Sequence, residues 1–293
     1  MQHRTRLWLG VGVSLLAGAP ALAAETPAAS APRVEQVAQS PAAGTAAHSQ
    51  NDGQHQTHHQ GGEGGEGGEG GEGGEGGVTA VDAATDPVAF LTALDVIAAH
   101  YHAGRDAYLA GEGQAAGEMF AHPISEIYVE LEPVFQTRGI PPFLEKMTTA
   151  SDLALAGKPA AEVTAAADTV LAILHDAAKK APTGDRSDIA IQAAVLAAML
   201  DRAALQFRSV AAGPGLEPYM DGYGLYKTAA DRFLSMRPAL TAADGDAAKA
   251  AAQALDLLDM AYPTALRPGT LAVEPGPLLA AASRAKIALA RVK

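Results

Sequence analysis

From residue 86 onward the apolar positions recur every three or four residues. Phe90, Leu94, Ile97, Tyr101 and Tyr108 form one stripe, and Phe120, Ile124, Ile127, Leu131, Val134 and Phe135 form the next. That spacing is the α-helical period. Asp86 followed by Pro87 is a start signal, because proline has no N–H to leave orphaned in a first turn and aspartate caps it. The first helix should end near Gly111 or Gly113. A second should span residues 114–138, bent where Pro123 removes a backbone donor, with Gly139 as its stop. Six more are expected near residues 141–156, 159–180, 185–211, 217–236, 241–262 and 277–292, with glycine and proline in the breaks between them. No stretch alternates with a period of two, so no strand is expected. The fold class is therefore all-α, an antiparallel bundle of about eight helices. It forms one elongated domain over residues 86–293, or two bundles, about 86–182 and 183–293, that meet near 181–185.

Ahead of residue 86 that period is absent. Residues 1–23 read as a cleavable signal peptide, with His3, Arg4 and Arg6 before an apolar run and Ala21-Leu22-Ala23 at the cut. The run is too short for the roughly 20 residues that cross a bilayer. The mature chain is thus expected to be periplasmic or secreted and to have no membrane span. Residues 24–85 carry almost nothing to bury and should be a disordered tether. It holds His48, His55, His58 and His59, and then five Gly-Gly-Glu repeats. Such a tract binds divalent metals weakly through its imidazoles, or it is a plain solvated spacer.

Composition narrows the chemistry. With no cysteine, disulfides, thiolate metal sites and cysteine nucleophiles are excluded. The leader takes two of the 21 basic residues and none of the 33 acidic ones, which leaves a mature net charge of about -14. That balance disfavours nucleic acid and suits cationic ligands. With aromatics at only 5% of the chain, the core must be built from alanine and close helix packing. Tyr219, Tyr223, Tyr226 and Phe233 fall at helical spacing and read as part of it. No G-x-S-x-G, H-E-x-x-H or P-loop is present, and no enzyme is expected.

The metal-capable side chains concentrate in residues 100–139. His100, His102 and His122 lie there, and the only other histidine beyond the tether is His175, which shares a face with Lys179 and reads as solvated. Four-residue steps put His122, Glu126 and Glu130 on one helix face, and an antiparallel neighbour would bring His100 or His102 near them. Imidazoles and carboxylates on facing helices can hold iron or zinc. The alternative is that both faces are merely solvated.

Residues 111–133 (G-E-G-Q-A-A-G-E-M-F-A-H-P-I-S-E-I-Y-V-E-L-E-P) resemble the first-half helix pair of the imelysin-type periplasmic iron-uptake proteins, which carry an A-G turn and then Y-x-x-I-E-P on the next helix. The resemblance implies an exported all-helical protein that handles ferric or divalent metal beside an inner-membrane metal permease. The G-x-H-x-x-E motif of that family is absent, because Ser125 stands where the glutamate should and Glu126 comes one place late. The reading that results is an exported metal-binding accessory protein of an uptake or homeostasis system, with iron or zinc as the ion. The competing reading is a metal-free helical interaction module of the cell envelope.

Overall fold

A computed structural model describes residues 78–293. The leader, the linker histidines His48, His55, His58 and His59, and the Gly-Gly-Glu repeats lie outside the described residues. The helices are α1 (Ala80–Thr85), α2 (Pro87–Leu109), α3 (Gly113–Pro123), α4 (Val129–Thr137), α5 (Leu144–Leu155), α6 (Ala160–Ala178), α7 (Asp188–Ala212), α8 (Glu217–Ala243), α9 (Gly245–Ala261) and α10 (Pro275–Leu289). A π-helical turn, Ile124–Tyr128, joins α3 to α4, so the two run on as one rod. Among the described residues there is no strand, and the all-α class is borne out. No helix there is long and apolar enough to cross a membrane.

The start and stop signals act as expected. The Asp86 carboxylate accepts the Val88 N–H at 2.9 Å and caps α2. Gly111 and Gly139 end their helices at φ of 98° and 67°, a backbone region that residues with a Cβ avoid. Two boundaries differ from expectation. Residues 80–85, placed by composition in the tether, form α1, because Thr79 caps its first turn and Ala83 is buried. Helix α8 runs past residue 236 to Ala243 and carries Pro238 within it.

Helix α2 is the axis of the assembly. It packs against α3 and α6 and also against α7 and α8, so the two halves of the sequence share one core. Its buried set includes Phe90, Leu94, Ile97 and Tyr101 together with Ala93, Ala99, Ala103 and Ala107. A helix that is apolar around most of its circumference is one surrounded by others. The Tyr101 ring lies 5.1 Å from Phe120 of α3. Behind the π-turn, Tyr128 packs on Phe143 at 4.7 Å, and its hydroxyl accepts the Phe143 N–H at 3.2 Å.

Helix α8 approaches α2 through glycine. A Cβ on Gly224 would overlap the Ala99 carbonyl and lie 3.2 Å from the Ala103 Cβ. On the same stretch of α8, the Tyr223 hydroxyl donates to Asp106 Oδ2 of α2 at 2.7 Å. The stripe of Tyr219, Tyr223, Tyr226 and Phe233 is core, as its spacing suggested.

Candidate metal centre

His100 is buried on α2, one residue from the Gly224 contact. Its Nδ1 lies 2.8 Å from the Val96 carbonyl one turn back. A carbonyl only accepts, so Nδ1 must carry the proton and Nε2 the lone pair. The ring is thereby held in the tautomer and orientation that a metal ligand requires. Burial lowers the His100 pKa to about 4. The nearby His122 ring adds to that, and the Val96 bond works against it. At neutral pH the imidazole is uncharged and able to coordinate.

His122 closes α3 just before Pro123. Its ring stands 6.2 Å from that of His100, nearly edge-on at 77°. From the other side comes α8, with Glu217 and Asp221 one turn apart on the same face. Asp221 Oδ1 is 3.9 Å from His100 Nε2, and Glu217 Oε1 is 3.7 Å from His122 Nδ1. Asp221 Oδ2 accepts from the Gln206 side chain of α7 at 3.2 Å, which orients the carboxylate. One ligand atom from each of His100, His122 and Asp221 lies within 4.8 Å of the others, and among the described residues this is the group that could hold an ion.

Zinc takes nitrogen and oxygen ligands at about 2.0–2.2 Å in a tetrahedron, which puts them about 3.3 Å apart. Small side-chain rotations would therefore draw the three together by about an ångström on loading. The site opens on a cleft of about 250 Å³, with apolar walls from Val96, Leu205 and Leu225 and with Arg202 and Gln206 of α7 on its rim.

The expected ligands are only partly brought together. His100 and His122 meet, as an antiparallel α2–α3 pair allows. His102, two residues on, points elsewhere on α2, where its Nε2 is 3.7 Å from Asp231 Oδ2. Burial lowers the His102 pKa, and Asp231 opposes that shift. His102 lines a separate cleft of about 510 Å³, shared with His175. Glu126 sits in the π-turn, outside the group of three. Glu130 is exposed, and its Oε1 accepts the Ala80 N–H of α1 at 3.1 Å. Among the described residues, Glu126 and Glu130 are thus not in the group that could hold an ion.

Asp221 and Glu217 had no sign pointing to them. They lie in the half without histidines, and their signal was only two acids four residues apart beside an aromatic stripe.

No protein-family model, curated protein or solved structure matches the chain.

Proposed function

We propose that the chain binds a divalent transition-metal ion, zinc or iron(II), through His100, His122 and Asp221, with Glu217 at the rim as a fourth donor. The supporting observation is the His100 Nε2 lone pair, aimed by the Val96 bond at a carboxylate and a second imidazole. Neutral imidazoles and carboxylates are the donors such ions favour. Ligands drawn from α2, α3 and α8 make the site a property of the folded bundle, and metal binding would stabilise that fold. With the signal-like leader, this supports an exported accessory protein of metal uptake or homeostasis, working with an envelope or permease partner.

The test uses the full chain with His48, His55, His58 and His59 replaced by alanine, so that the tether does not mask the site. Calorimetry with zinc should show one tight site. His122→Ala should weaken it by more than the roughly 10- to 100-fold that loss of a supporting partner costs. His102→Ala should bind like the parent. Unchanged tight binding in His122→Ala, or none in the parent, would remove the metal reading and leave a helical interaction module.

A further inference from the structure

A carboxylate can turn either oxygen to an ion, so such a ligand works best when a neighbour holds its orientation. Asp221 has a neighbour of that kind. Gln206 of α7 donates from Nε2 to Asp221 Oδ2 at 3.2 Å. The other oxygen, Oδ1, is the one 3.9 Å from His100 Nε2. An amide suits the place because it is a neutral donor. It turns the carboxylate without setting a new cation beside the ion.

Behind this bond stands Tyr262, between α7 and α8. It caps the C-terminus of α9 and is fully buried. Its hydroxyl donates to the Ala203 carbonyl of α7 at 3.0 Å. The same oxygen lies against Gly222 of α8, where a Cβ would overlap it. Ala203 stands one turn before Gln206, and Gly222 directly follows Asp221. The hydroxyl thus sits between the two helices at the level where Gln206 meets Asp221. Its ring packs on Phe207, 5.4 Å away, and on Tyr219, 5.2 Å away.

We propose that Gln206 is a positioning residue of the metal centre, working through Asp221 alone, and that the Tyr262 hydroxyl keeps α7 and α8 at the separation Gln206 needs. This rests on the metal reading above. Neither side chain is a ligand, and both come from the half of the chain without histidines. Losing either one changes the aim of a ligand and leaves the ligand set intact.

The test is a double-mutant cycle read by zinc calorimetry on the full chain without the four linker histidines. Gln206→Leu should weaken zinc binding by roughly 10- to 100-fold, the cost of losing a supporting partner. Asp221→Ala should also bind more weakly, through His100, His122 and Glu217. In that background Gln206→Leu should change the affinity by less than about twofold, because the group it aims is gone. A residue that only packs the bundle would cost the same in both backgrounds. Gln206→Met carries the test if the leucine variant does not fold. Tyr262→Phe keeps the ring and loses the hydroxyl. It should weaken zinc binding by less than Gln206→Leu does, and in the Gln206→Leu background by less than about twofold.

A Gln206→Leu variant that binds zinc like the parent would overturn the positioning role and leave the metal reading standing. So would an equal loss in both backgrounds. Parent-like binding in Tyr262→Phe would remove the part given to its hydroxyl. A parent without a tight zinc site, or an Asp221→Ala variant that binds like the parent, would overturn the metal reading as well.

Discussion

The protonation of His100 makes a sharp prediction about the metal-free protein. The ring titrates at 6.5 when exposed in the unfolded chain and at about 4 in the fold. Between those values the unfolded chain binds a proton that the fold refuses. Stability must therefore rise with pH across that window, be fully present above 6.5 and be lost as pH falls towards 4. A gap of about 2.5 at about 1.36 kcal/mol per pH unit gives about 3 kcal/mol from this one side chain. The groups facing it are His122 from α3, Asp221 from α8 and, across the cleft, Arg202 from α7. Asp221 at 3.9 Å favours the protonated ring, but with the side chains only 7% and 12% exposed the cost of burying the imidazolium outweighs that attraction. The assay is urea unfolding of the metal-free chain between pH 7.5 and 4, for the parent and His100→Gln. The variant loses stability at every pH, so the readout is the difference in slope. The parent should be steeper by about 1 kcal/mol per pH unit in the middle of the window. Parallel curves would mean that the fold does not lower the His100 pKa, and a parent that becomes relatively more stable in acid would mean that Asp221 holds the ring as a cation; either result refutes the reasoning.

Two further predictions concern the frame around the site. Arg232 holds the buried Asp95 carboxylate with two bonds of 2.6 Å, one from Nε and one from Nη2, so Arg232→Met strands a buried charge. It should cost about 3–5 kcal/mol in urea unfolding at neutral pH, and less in acid, where a protonated Asp95 needs no counter-ion. Glu130→Ala removes the acceptor of the Ala80 N–H, so hydrogen exchange over α1 should quicken while zinc affinity stays as in the parent.

Much of the frame was legible because its signals are local. Asp86-Pro87 starts a helix by the chemistry of two adjacent residues, and Gly139 stops one through its own backbone freedom. The meeting of His100 with His122 came from a short turn between consecutive helices. The ladder from His122 through Glu126 to Glu130 is not what gathers in the structure. Glu130 accepts the Ala80 N–H of α1, a helix that the spacing did not show, and Glu126 lies outside the group of His100, His122 and Asp221. Asp221 and Glu217 were out of reach for a different reason. Their place depends on which face of α8 meets α2, and that is decided by Gly224, Tyr223 and the shape of the shared core, none of which shows in the spacing around His100. Helix α1 was hidden because a single buried alanine and a cap leave no stripe to detect.

The absent side chain at Gly224 sets a dimension. Because α8 rests there against the backbone of α2, at Ala99, the gap between the two helices is fixed by peptide atoms that cannot rotate out of the way. His100 and Asp221 stand beside that contact on opposite sides of the seam, so it works like the pivot of a pair of calipers whose jaws are the imidazole and the carboxylate. A methyl group at residue 224 would wedge the pivot and open the jaws without touching either one. The bite available to an ion is thus decided by a position with no chemistry of its own, and tuning it would mean changing the spacer and leaving the ligands as they are.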